Sequence, residues 1–176
     1  MASFIVEGGH RLSGTITPQG AKNEALQILC ATLLTSEEVI VNNIPDILDV
    51  NNLIQLLAES GVEVNKLSPN RYSFKANNLN ESFLTGPDYL LRSRSLRGSI
   101  MLTGPLLARL GRAVIPQPGG DKIGRRKLDT HFLGMRKLGA ELHYNDQSSA
   151  CEILADKLTG TYILLDEASV PVRPTW

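Results

Sequence analysis

Leu12-Ser-Gly-Thr15 returns as Leu84-Thr-Gly-Pro87 and again as Leu158-Thr-Gly-Thr161, at spacings of 72 and 74 residues in a chain of 176. The residues after each copy return with it. Lys22 precedes one apolar helical run and Arg97 the next. Val39-Ile40-Val41 is matched by Ala113-Val114-Ile115, and Ser60-Gly-Val-Glu-Val64 by Leu138-Gly-Ala-Glu-Leu142. Such a recurrence of element order, turn glycines and apolar pattern marks a chain built from repeated supersecondary units. Each unit reads as strands, helix, strand, helix, strands, with two helices laid on a small sheet. The fold class is therefore α/β, made of α+β repeats.

In chain order, Phe4-Ile5-Val6 and Thr15-Ile16-Thr17 have the composition of short strands, separated by Gly8, Gly9 and Gly14. From Glu24 to Leu34, the residues Ala25, Leu26, Ile28, Leu29, Ala31, Thr32 and Leu33 predict a helix apolar on most sides, hence a buried one. Val39 to Val41 is a strand and 42–45 a turn. Val50 to Ser60 predicts an amphipathic helix with Leu53, Ile54, Leu56 and Leu57 inward, stopped by Gly61. Val62-Glu63-Val64 and Tyr72-Ser73-Phe74 alternate as strands about a Pro69-Asn70 turn. A second buried helix is expected over Ser99 to Leu110. The units run from about 22 to 83 and 84 to 157, and a third opens at Leu158.

The offset between the units grows from 74 at Val39 and Ala113 to 78 at Ser60 and Leu138. The second unit therefore carries an insertion within Pro116–Arg126. The stretch is Pro116-Gln-Pro-Gly-Gly-Asp-Lys-Ile-Gly-Arg-Arg-Lys-Leu-Asp-Thr-His131. Its glycines allow close backbone approach, and free amides followed by arginines suit an anion; a plain exposed loop has the same composition. Insertions on one repeat are where function is commonly added. From Arg92 to Lys137 there are eleven Lys and Arg against two acids, Asp121 and Asp129. That local excess suggests a phosphate-bearing small molecule, the alternative being a solvated basic surface.

With 18 basic and 18 acidic residues the net charge is zero, which argues against a general binder of nucleic acid or membrane surface. Cys30 and Cys151 stand far apart with neither disulfide-framework nor metal spacing, and Cys30 reads as core. No signal peptide or membrane-length apolar run is present, so the expected compartment is the cytoplasm. His10 and His143 read as surface residues, and His131 as a packing residue on a helix.

Six motifs in order carry a resemblance: Gly20-Ala-Lys-Asn23, Arg97-x-Ser99, Gly104-Pro105-Leu-x-Ala-Arg109, Pro118-Gly-Gly-x-x-Ile-Gly124, Arg126-x-x-Asp129-x-His131 and Asp166-x-x-Ser169-Val170. Together they resemble the UDP-N-acetylglucosamine 1-carboxyvinyltransferases, the enolpyruvyl transferases that open peptidoglycan precursor synthesis. The resemblance covers residues 1 to about 170. It implies an inverted α/β barrel of two domains, each of three repeats, in a longer and usually monomeric chain. On that basis residues 1–21 are a strand segment belonging to the domain completed by the C-terminal half. Residues 22–176 are an incomplete lid-bearing domain of two units plus the start of a third. Pro171-Val-Arg-Pro-Thr-Trp176 does not continue the repeat, since its prolines oppose a helix; the sequence reads as a truncation or a change of frame after Val170.

The implied reaction moves the enolpyruvyl group of phosphoenolpyruvate to the 3′-hydroxyl of UDP-N-acetylglucosamine and releases phosphate, with no cofactor. By resemblance Lys22 and Arg126 clamp phosphoenolpyruvate and Asn23 contacts the reacting groups. Asp121 on a closing lid protonates the methylene carbon. Arg97, Arg126, Leu128, Asp129, Ser169 and Val170 fall where the family holds the nucleotide sugar. From the residues alone, a cation at the start of a helix opposes the helix dipole, which favours a ligand role for Lys22 and Arg97. Asp129 is equally explained as a helix-start acid.

Three departures from the family stand out. Many members carry Cys where this chain has Asp121; a carboxyl of raised pKa can also donate a proton. Lys127 replaces the Pro usual after the loop arginine, and Pro171 stands where a small residue approaches the diphosphate. The family's base lies beyond residue 176, so the isolated chain is expected to be inactive. Two further readings are a shikimate-pathway enolpyruvyl transferase and a non-catalytic fragment that binds nucleotide sugar. The first typically has Ser-Lys-Ser where this chain has Ala21-Lys22-Asn23, and lacks the Pro-Gly-Gly lid.

Overall fold

The computed structural model describes residues 3–116, 128–146 and 148–164. The first unit is α1 (Lys22–Ala31) with a 3-10 turn at Thr32–Leu34, then β1 (Glu38–Val41), α2 (Leu48–Glu59), β2 (Glu63–Ser68) and β3 (Arg71–Lys75). β3 sits between the other two strands and runs antiparallel to both, so β1 and β2 are parallel and α2 is the crossover. After two helices, α3 (Glu81–Leu84) and α4 (Pro87–Ser95), the second unit repeats the plan. It has a 3-10 helix Arg97–Leu102, α5 (Thr103–Leu110), β4 (Arg112–Pro116), α6 (Asp129–Lys137), β5 (Glu141–Asn145) and β6 (Ala150–Leu154). Here too the last strand is central, in the order β4-β6-β5.

Registers show how close the repetition is. Phe74 on β3 lies between Val39 and Val64, and Ile153 on β6 between Ala113 and Leu142. Phe74 and Ile153 are fully buried, each at the centre of its sheet. α2 turns Val50, Leu53, Leu56 and Leu57 inward at helical spacing. It ends at Gly61 (φ 95), and the equivalent Gly139 has φ 96. α1 buries Ala25, Leu26, Leu29 and Cys30, but leaves Ile28 exposed.

The units share one core, and Arg109 crosses between them. From α5 its guanidinium donates to the Leu33 carbonyl (2.8 Å) and to the Ala76 carbonyl (3.0 Å), both in the first unit. Arg92 on α4 pairs with Glu59 on α2 at 2.8 Å. Packing of α1 on the 3-10 helix Arg97–Leu102 is close enough that a methyl at Gly98 would meet the Leu26 side chain at 3.1 Å.

Three sequence expectations are corrected. Phe4–Val6 and Thr15–Thr17 form no strand; residues 3–19 are exposed throughout, with Phe4, Ile5 and Val6 at 94%, 91% and 88%. A β-prone run needs a neighbour to pair with, and both described sheets are completed by their own three strands. The helix expected from Ser99 to Leu110 is instead 3-10 up to Leu102 and α only from Thr103. Pro105 is the cause, because its ring clashes with the carbonyl four residues back and is tolerated only in a first turn. Finally, 81–95 is helical. The Asn80 side chain accepts the Phe83 amide at 3.1 Å to start α3, and Pro87 takes the first position of α4. No described helix is long and apolar enough to cross a membrane.

Candidate functional site

Lys22 and Asn23 are the first two residues of α1, and both are exposed. Ala21 before them is extended (φ −76, ψ 129) and offers no side-chain cap, so the first amides of α1 are open to a ligand. The segment is seated by contact. A Cβ on Gly20 would lie 2.0 Å from the Asn43 carbonyl oxygen and 3.2 Å from Cδ of Pro45. Only glycine allows this approach. Asn43 itself takes the left-handed conformation (φ 57), which asparagine tolerates better than most residues.

Across that turn begins α2, whose first turn carries Asp49. The Lys22 Nζ donates to Asp49 Oδ2 at 2.9 Å, with 44% and 46% of the two side chains exposed. Asp49 was not among the residues singled out from the sequence. Its only signal there is an acid at a helix start, which capping explains equally well.

Arg97 occupies the matching place in the second unit, at the start of its 3-10 helix, and is half-buried. Leu26, one turn after Lys22 on the same face of α1, abuts Gly98, the residue after Arg97. The two cations singled out from the repeat therefore flank one helix contact. Leu128 and Asp129 open α6, with Leu128 half-buried and Asp129 exposed. Asp121, Arg126, Ser169 and Val170 lie outside the described residues.

His131, two residues into α6, is buried, with a relative exposure of 5%. Its Nδ1 has no hydrogen-bond partner among the described residues. Burial, and then the positive charge of Arg97, push its pKa down from 6.5 to about 4. It is a neutral imidazole at pH 7, consistent with a packing role. On α4, just before Arg97 in the chain, Arg94 donates to the Ser148 carbonyl in the turn between β5 and β6.

Burial pushes the Cys30 thiol far up and raises the Cys151 thiol as well, against a lowering by Arg136. Neither is poised as a thiolate. What the described residues place at the start of α1 is an ammonium, an amide side chain and open backbone N–H groups. Such a helix start can bind a phosphate or carboxylate.

A protein of Bacteroides thetaiotaomicron named UDP-N-acetylglucosamine 1-carboxyvinyltransferase is 64% identical over 170 residues, covering 97% of this chain and 39% of that protein. One of the same name from Porphyromonas gingivalis is 56% identical over the same shares. The chain thus spans about two-fifths of the length of these relatives (39%). The crystal structure of the enolpyruvyl transferase NikO from Streptomyces tendae shares the fold. Its TM-score is 0.66 at 23% identity, over 86% of this chain and 32% of that one. The profile of one family matches residues 6–174, nearly the whole length. The chain belongs to the EPSP synthase (3-phosphoshikimate 1-carboxyvinyltransferase) family.

Proposed function

We propose that this chain is part of an enzyme that transfers the enolpyruvyl group of phosphoenolpyruvate to the 3′-hydroxyl of UDP-N-acetylglucosamine. Phosphate is released, in the first committed step of peptidoglycan precursor synthesis. The observation that carries the reading is 64% identity over 97% of the chain to a relative of that name. The sugar hydroxyl gives its proton to a base of the full-length enzyme as its oxygen adds to C2 of phosphoenolpyruvate, and a proton is delivered to C3, giving a tetrahedral ketal. Loss of a proton from the C3 methyl group then expels phosphate and restores the double bond.

Each step asks for groups of the kind this sequence carries. Lys22 and Arg126 balance the charge of phosphoenolpyruvate, with Asn23 oriented beside them. Asp121 serves as the C3 proton donor, a task open to a carboxyl of raised pKa. Arg97, Arg126, Leu128, Asp129, Ser169 and Val170 hold the nucleotide sugar. Residues 1–21 act as a strand segment of a second domain, and 22–176 as part of the lid-bearing one. The near-complete exposure of Phe4, Ile5 and Val6 supports that division. The proposed compartment is the cytoplasm, where both substrates are made.

A shikimate-pathway transfer is the second reading, favoured by the family description alone. Ala21-Lys22-Asn23 argues against it. Phosphate release by the full-length enzyme decides between them. Release is expected with phosphoenolpyruvate plus UDP-N-acetylglucosamine and not with phosphoenolpyruvate plus shikimate 3-phosphate; the reverse overturns the proposal. The 176-residue chain by itself is expected to release none. Fosfomycin, an epoxide that alkylates thiolates, is expected to leave the full-length enzyme active, because Asp121 offers no thiol. Time-dependent inactivation refutes the role given to Asp121.

A further inference from the structure

Lys22 and Asp49 come from different helices, 27 residues apart, and among the described residues each is the other's sole ion-pair partner. Both are nearly half-exposed, and an ion pair of that kind contributes little to stability. The backbone beneath them is nevertheless held tightly. Gly20 is pressed on the Asn43 carbonyl, the Ile44 amide donates to the Asn70 carbonyl at 2.9 Å, and the Ile47 amide to the Pro45 carbonyl at 3.0 Å. The starts of α1 and α2 are thereby fixed relative to each other.

We propose that Asp49 is a positioning residue for Lys22. Its carboxylate takes one of the three ammonium N–H donors and so fixes where the others point. This rests on the reading that Lys22 receives the anionic substrate phosphoenolpyruvate. A lysine side chain left to itself samples many rotamers, and binding an anion then costs the ordering of that chain. Asp49 orders it beforehand. The arrangement carries an opposing effect, since a carboxylate beside an anion site repels the anion. The sign of the Asp49→Asn effect therefore separates the two roles. If Asp49 is only a neighbouring charge, its removal tightens anion binding by about threefold in a water-like dielectric. If it positions Lys22, its removal weakens binding by about fivefold, the scale of one lost ordering contact.

The test uses the full-length enzyme with 13C-labelled lysine, the Lys22 Cε signal being assigned by its loss in Lys22→Arg. Phosphoenolpyruvate and inorganic phosphate are the probes. In Asp49→Asn, with the melting curve unchanged, the Lys22 Cε order parameter is expected to fall toward that of a free lysine side chain. Phosphoenolpyruvate affinity is expected to drop by about fivefold, and Asp49→Glu to restore most of both. An unchanged order parameter overturns the proposal, as does an affinity that stays or rises. A wild-type chain whose Lys22 signal ignores both probes overturns the substrate reading of Lys22 instead. The order parameter still decides whether Asp49 holds it.

Discussion

Lowering the pH from 7 to 5 protonates a histidine in the unfolded chain but not His131 in the folded one. Its folded pKa of about 4 lies below the ordinary 6.5, because burial removes water from the ring and Arg97 repels a second positive charge. The unfolded state therefore binds the proton first. Stability is full above the unfolded value and is lost as pH falls toward the folded one. With 1.36 kcal/mol per pKa unit, the loss is about 2 kcal/mol by pH 5 and approaches 3 kcal/mol near pH 4. That is a large part of the stability of an ordinary domain. Urea unfolding of the wild type and of His131→Gln at pH 7 and at pH 5 isolates it. His10 and His143 are common to both proteins and exposed, so they cancel in the comparison. The pH change should cost the wild type about 2 kcal/mol more than the variant. An equal cost in both refutes the assignment of His131 as a buried neutral imidazole.

Two substitutions test the scaffold. Gly20→Ala sets a methyl 2.0 Å from the Asn43 carbonyl oxygen, an overlap that only backbone movement relieves. It is expected to cost about 1–3 kcal/mol in urea unfolding and to disturb the NMR signals of Lys22 and Asp49 together. Arg109→Ala removes the donors to the Leu33 and Ala76 carbonyls. It should cost about 2–3 kcal/mol, with Arg109→Lys recovering less than half, since an ammonium cannot span both oxygens as the planar fork does.

The two-unit plan was legible in the sequence because apolar spacing and turn glycines repeat wherever a sheet and a helix must be closed. Gly61 and Gly139 are the clearest cases, with φ of 95 and 96 at the ends of equivalent helices. Composition failed where the outcome depends on a partner. Phe4–Val6 is as β-prone as Val39–Val41, yet only the latter has a neighbour, β3. Leu84-Thr-Gly-Pro87 also misled as a copy of Leu12-Ser-Gly-Thr15. Gly86 and Pro87 start α4, whereas Gly14 and Thr15 lie in an exposed segment that is neither helix nor strand. At the helix starts, Lys22 and Arg97 stand out in the sequence as violations of helix electrostatics. Asp49 does not, since an acid at a helix start breaks no rule and its partner lies 27 residues away. Arg109 belonged to a recognised motif, but its task of joining the units shows only once both carbonyls are located.

The two helix-start cations are informative because they recur. A cation at the positive end of a helix costs about 0.3–1 kcal/mol, and an acid there would gain as much. Packing alone gives no reason to bear that cost at the same position of both units. Yet Lys22 and Arg97 stand at equivalent starts, next to the helix contact made by Leu26 and Gly98. Their surroundings differ in a way that fits different duties. Lys22 is half-exposed and tethered by a carboxylate, which suits repeated capture and release of a small anion. Arg97 is half-buried beside an imidazole that is kept neutral, so His131 adds no competing charge at neutral pH. A requirement of the fold alone would have placed compatible residues at both starts, and the recurrence of cations there is what the proposed ligand role of Lys22 and Arg97 accounts for.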